Sequence, residues 1–177
     1  KTKDTGALFR LEPGARLAAP AIRPGNDIDA IAERWRTSSP QVVFIDDFLT
    51  DEALDGLRRF CLGSTIWKNV YQQGYLGAMP EDGFACPLLA QIAEELGRGF
   101  PAIFRSFPLL HLWGFKYDSQ LTGINVHADQ AAVNVNFWIT PDEANLDPGR
   151  GGLVIWDRGA PIDWDFTKFN RDETAIR

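Results

Sequence analysis

Hydrophobic positions recur with two different periods along this chain. Through the first hundred residues they fall three and four apart, and beyond Phe107 they alternate, which predicts helices first and strands afterwards. Ile28, Ile31, Ala32 and Trp35 occupy i, i+3, i+4 and i+7 of an amphipathic helix that Asn26 is placed to cap and that Ser38-Ser39-Pro40 ends. Gln41 to Ile45 is β-branched and aromatic, as a strand requires, and Asp46-Asp47 breaks it. Thr50 then opens a second helix with Leu54, Leu57 and Cys61 on one face. Pro87 sits at the first turn of a third helix, whose stripe of Leu88, Leu89, Ile92, Ala93 and Leu96 is expected to run on to Phe104 despite Gly97 and Gly99.

Between the second and third helices, Gly63, Gly74, Gly77 and Gly83 are interleaved with Trp67, Tyr71, Tyr75 and Met79. This predicts a long loop or irregular hairpin that covers a site. The residues before Gly25, with Pro13, Pro20 and Pro24, read as irregular chain carrying one short strand around Leu8-Phe9-Arg10-Leu11. After Phe107, strands are predicted at Leu109 to Tyr117, Ala132 to Thr140 and Leu153 to Trp156, separated by turn-rich stretches such as Thr140-Pro141-Asp142. Helices followed by strands imply an α+β fold, with the helices packed on one face of an antiparallel sheet system.

At 177 residues the chain suits a single domain, 1–177. Within it, 1–40 is an N-terminal extension and helix, 41–106 a strand with supporting helices, and 107–177 the strand-rich core. The net charge of -6, with basic residues scattered and not aligned in a stripe, argues against nucleic acid as a partner. The chain has no apolar run of the roughly 18 residues a membrane helix needs, and Lys1-Thr2-Lys3-Asp4 opens no signal region. A cytoplasmic protein is therefore expected. Cys61 and Cys86 lack any metal-type spacing and read as reduced core thiols.

The chemistry centres on His127-Ala128-Asp129. On an extended chain, side chains two positions apart point to the same face, so the imidazole and the carboxylate can share one ion. A face of two histidines and one carboxylate with open positions opposite suits non-haem iron. His111 and His127 are the only histidines. His111 shares parity with Trp113, Phe115 and Tyr117 but lies a strand length from the tyrosine, and is read as a core or edge histidine. In Val133 to Thr140, parity sets Asn134, Asn136, Trp138 and Thr140 on one face against Val133, Val135, Phe137 and Ile139 on the other. The polar face either lines a closed interior or is simply the solvated side of a half-buried strand. Trp156-Asp157 and Asp163-Trp164-Asp165-Phe166 line a substrate mouth or form a solvated loop packed by its tryptophans.

The succession of Leu112 to Tyr117, Gly123 to Asp129, Val133 to Thr140 and Gly151 to Trp156 resembles the iron(II)/2-oxoglutarate-dependent oxygenase superfamily, nearest its prolyl-hydroxylase-like branch. The strand and helix at Val42 to Cys61 resemble that branch's entry, so the likeness runs from about Gln41 onward. It implies a double-stranded β-helix, a jelly-roll or cupin-like barrel, with the N-terminal helices on its major sheet. It also implies Fe(II) held by His127 and Asp129, and 2-oxoglutarate as co-substrate beside Tyr117. Asn134 and Asn136 then face that dicarboxylate. The activity implied is hydroxylation of a C–H bond, coupled to decarboxylation of 2-oxoglutarate to succinate, on an unknown small-molecule or peptide substrate.

The family places a second histidine some tens of residues after His-x-Asp, followed by an arginine or lysine that grips the far carboxylate of 2-oxoglutarate. No histidine follows His127, and Arg150, Arg158, Arg171 and Arg177 do not take that place. The last strands are therefore expected outside these 177 residues, with weak metal binding and little turnover from two protein ligands alone. An incomplete sheet also exposes edges that invite pairing between chains, so a homo-oligomer is an option. Two rival readings remain: a catalytically inactive, barrel-type binding module, and a cupin-like metal enzyme of the kind usually richer in histidine.

Overall fold

A computed structural model describes residues 9–117, 127–145, 149, 152–157, 159 and 161–171. Helix α1 (Ile28–Thr37) starts one residue later than Asn26 alone suggests. Asp27 is the cap, its carboxylate accepting from Ala30 N–H at 3.0 Å. Asn26 instead donates to the carbonyls of Arg23 and Phe48, fastening the entry to α1 against the chain before α2. Helix α2 (Asp51–Gly63) is capped by Thr50 as expected and buries Ala53, Leu57, Phe60 and Cys61. Helix α3 (Pro87–Gly99) buries Leu88, Gln91 and Ile92. It does not run through to Phe104. Phe100, at φ -119° and ψ 57°, leaves the helical region because Pro101 disfavours it in the preceding residue, and a short α4 (Pro101–Phe104) follows.

The glycine-rich stretch is a hairpin, β1 (Asn69–Tyr71) and β2 (Tyr75–Ala78), paired in antiparallel register Asn69 to Gly77 and Tyr71 to Tyr75. Strand β3 (Gly114–Tyr117) adds to β2 with Tyr75 opposite Tyr117, completing a three-stranded antiparallel sheet in the order β1-β2-β3. The fold is thus α+β. Among the described residues, the other expected strands, at Gln41 to Ile45, Ala132 to Thr140 and Leu153 to Trp156, form no ladder, and β3 begins only at Gly114. Alternation records which side chains turn inward, whereas a strand also needs a neighbour in register, which local sequence does not encode.

Three clusters of buried side chains link these elements. Ala21, Leu49, Ala53, Leu57, Leu88 and Ile92 join α2 to α3. Phe60, Cys61, Ile66, Ala78 and Phe84 join the end of α2 to the hairpin. Ile31, Phe100 and Ile103 join α1 to α4. Burial, with Cys86 nearby, pushes the Cys61 thiol up to about 11, which keeps it protonated in the core. No helix among the described residues is long and apolar enough to cross a membrane.

The segment before α1 is bound to α3 through the buried Gln91 and the half-buried Glu95. Gln91 accepts from Leu17 N–H at 2.7 Å and donates to Ala19 C=O at 2.9 Å, while the Glu95 carboxylate accepts from Ala21 and Ile22 N–H at 2.8 to 3.0 Å. Burial pushes the Glu95 carboxyl up, but hydrogen bonds from Ile22, Ala21 and Gln91 and the charge of Arg16 together outweigh it and hold the group below its ordinary range. With the folded value depressed, its contribution is complete above the unfolded value of about 4.5 and is lost as pH falls through it towards the folded one. Urea unfolding between pH 7 and pH 3 should therefore lose stability on the acid side. Glu95→Gln should remove part of that slope, and an identical slope in the variant would contradict this role.

Candidate metal centre

The segment 133–139 lies across all three clusters, and this positions the site. Val133 packs on the α1–α4 cluster, Phe137 on the α2–α3 cluster, and Ile139 on both the α2–α3 and the hairpin clusters. The ring of Phe137 lies 6.1 Å from that of Phe48, and Arg58 of α2 donates through Nε to Ile139 C=O at 2.6 Å. The inward row is therefore the apolar one that parity indicates, apart from Val135, which is 43% exposed. Asn134, Asn136, Trp138 and Thr140 are all exposed.

Ahead of this segment the chain turns, with Ala131 N–H donating to Asp129 C=O at 2.8 Å. His127 Nε2 and Asp129 Oδ1 stand 3.4 Å apart on one side of the chain, an ion pair when the imidazole carries its second proton. Asn134 Nδ2 donates to the other carboxylate oxygen, Asp129 Oδ2, at 3.0 Å, so Oδ1 is the oxygen turned towards the imidazole. The backbone between the two donors is held as well. Ala128 N–H donates to Asn170 Oδ1 at 2.8 Å, and Asn170 Nδ2 donates to Ala128 C=O at 2.9 Å. Asn170 belongs to α5 (Phe166–Arg171), which Asp165 caps by accepting from Lys168 N–H at 2.7 Å. Lys168 Nζ lies 4.9 Å from the ring centre of Trp164, so the Asp163 to Phe166 stretch is packed by its own tryptophan.

Comparison of the chain with protein-family models, curated proteins and solved structures finds no match. Function therefore rests on what these side chains can do. A nitrogen and a carboxylate oxygen bound to one divalent ion at about 2.1 Å and near a right angle stand about 3 Å apart, so the observed pair needs to close by only a few tenths of an ångström to fit such an ion. The pair supplies two donors. Among the described residues no group of three or more His, Cys, Asp or Glu is placed to hold a metal ion.

The remaining sequence candidates divide. Asn134 joins the pair, but as a partner of Asp129, and Asn136 lies two positions further along the same exposed row. Tyr117 belongs to an aromatic group on the sheet. Its ring is stacked on Tyr75 at 5.3 Å, Tyr75 is stacked on Tyr71 at 4.4 Å, and Phe115 meets Tyr75 edge-on at 5.4 Å. Burial, and then Tyr75, pushes the Tyr117 phenol above its ordinary value, which keeps it a neutral hydrogen-bond donor. Val70, Tyr71, Tyr75, Leu76, Lys116 and Tyr117 line a groove of about 440 Å³ over this sheet. His111 is exposed, its ring 6.0 Å from that of Trp113, as an edge histidine would be. Sequence reasoning missed Asn170 and Arg58, because no spacing rule connects residues 42 or 81 positions apart.

Proposed function

We propose that this chain contributes the His-x-Asp arm of an iron(II)/2-oxoglutarate-dependent oxygenase, with His127 and Asp129 as two of its metal ligands. The observation that carries the reading is the 3.4 Å approach of His127 Nε2 to Asp129 Oδ1 on one side of the chain. The proposed architecture is the double-stranded β-helix, with β1–β3 and the segments 133–139 and 153–156 as its strands and α1–α3 on its outer face. No residue of these 177 is assigned as the third protein ligand or as the basic grip on 2-oxoglutarate.

In this reading His127 offers a neutral imidazole, Asp129 offers Oδ1 and balances charge, and Asn134 holds the second oxygen so that the carboxylate does not rotate away. Bound Fe(II) with 2-oxoglutarate and dioxygen would supply the oxidant for C–H hydroxylation. Tyr117 and Asn136 keep the co-substrate role that the resemblance gives them. The groove walled by the β1–β2 hairpin is the proposed approach for substrate, since aromatic faces there offer apolar contact while Lys116 offers a charge.

A second reading, a barrel-type module without chemistry, draws on Trp138, Val154 and Trp156, large side chains 62%, 80% and 58% exposed that a binding partner would cover. The two readings separate by anaerobic addition of Fe(II) and 2-oxoglutarate to the full-length gene product. The oxygenase gives a weak visible charge-transfer band, and succinate once air is admitted. A product with neither band nor succinate would be the module.

A further inference from the structure

We infer that Asn170 is the positioning residue of the His127–Asp129 pair, an inference that rests on the oxygenase reading above. Two side chains at i and i+2 share a face only while the residue between them stays extended, so the conformation of Ala128 decides whether the imidazole and the carboxylate meet. Among the described residues, Ala128 is in no strand and no backbone group is paired with it. A primary amide carries an N–H donor and a C=O acceptor in one plane, as a peptide group does. Asn170 uses both, at 2.8 and 2.9 Å, on the N–H and C=O of Ala128. A side chain thus stands in for the adjacent strand at the one residue whose geometry aims both donors.

The two asparagines divide the task. Asn134 fixes the rotation of the Asp129 carboxylate, and Asn170 fixes the backbone that carries it. Asn170 is itself set by α5, which has its own cap at Asp165 and its Lys168–Trp164 contact. The placement therefore does not depend on an ion being present. Because Ala128 is exposed, water can take over its two hydrogen bonds when the amide is removed, and stability should hardly change. What is lost is aim.

The test uses Asn170→Leu, which keeps the branched shape of the side chain and deletes both hydrogen bonds. Mn(II) is titrated into the 177-residue chain and its free concentration is read by electron paramagnetic resonance, with melting temperature and hydrogen exchange at the Ala128 amide measured alongside. The variant is expected to bind Mn(II) about 10–100-fold more weakly, the range typical of losing an outer-shell partner. Its Ala128 amide should exchange faster while its melting temperature stays within about 2 °C of wild type. If wild type and variant bind Mn(II) equally, the positioning role is overturned and the oxygenase reading stands. A wild-type chain that takes up no Mn(II) in a His127-dependent way overturns both.

Discussion

Valine in place of Gly14 is expected to destabilise the fold by about 3 kcal/mol or more, the sum of forcing a β-branched residue into the left-handed region and overpacking a core. Gly14 has φ +47°, and a Cβ built there would lie 2.5 Å from Cys86 Sγ, 2.6 Å from Cys86 Cβ and 3.2 Å from Phe60 Cδ2. The neighbours have little room to yield. Cys86 is the residue that opens α3, and the Gly14 carbonyl accepts from Leu88 N–H at 2.9 Å, one of the first-turn donors a helix leaves unpaired. Phe60 is 1% exposed. Moving Gly14 away therefore withdraws a helix-end hydrogen bond and opens the contact between the N-terminal segment and α2. Melting of Gly14→Val should fall by about 6–12 °C at this chain length. A variant within 2 °C of wild type would mean that the N-terminal segment is not bound to α3 in this way.

Asp129→Asn is expected to weaken Mn(II) or Fe(II) binding by more than about 100-fold, exceeding what an outer-shell change costs. The reason lies in how the carboxylate is used. Asn134 Nδ2 already donates to Oδ2, so an amide at position 129 would turn its own oxygen to Asn134 and present its NH2 towards His127 Nε2. The metal would then lose both the negative charge and the lone pair on one side of the imidazole. Asn at this site preserves size, and the position is exposed, so the fold should be unaffected. Affinity within threefold of wild type, read by the same resonance titration, would remove Asp129 from the ligand set.

The helices were legible because their signals are local. Thr50 with the apolar face after it, and Pro87 before Leu88, specify α2 and α3 within a few residues. The errors there are local competitions: Asp27 outdoes Asn26 as a cap because Asn26 is drawn to carbonyls at 23 and 48, and Pro101 ends α3 at Phe100. In the last third only half the message was readable. Parity correctly turned Val133, Phe137 and Ile139 inward, yet among the described residues Ala132 to Thr140 has no ladder, since pairing depends on a partner strand and on register.

The site divides along the same line. His127 and Asp129 are an i, i+2 relation and could be placed together from the sequence. Asn170 reaches Ala128 from 42 residues away and could not. Tyr117, expected beside 2-oxoglutarate, is stacked on Tyr75 because the β2–β3 register sets the two opposite each other, a pairing that local sequence does not encode.

The central claim is that an imidazole and a carboxylate separated by one alanine act as two arms of a single metal site. Substoichiometric Mn(II) added to the ¹⁵N-labelled chain locates that site directly, because paramagnetic broadening falls off steeply with distance from the ion. The account predicts broadening that begins at His127 to Asp129, spreads next to Asn134 and Asn170, and disappears in His127→Ala. Broadening scattered over acidic surface positions such as Asp142 and Glu143, and unchanged by His127→Ala, would contradict it.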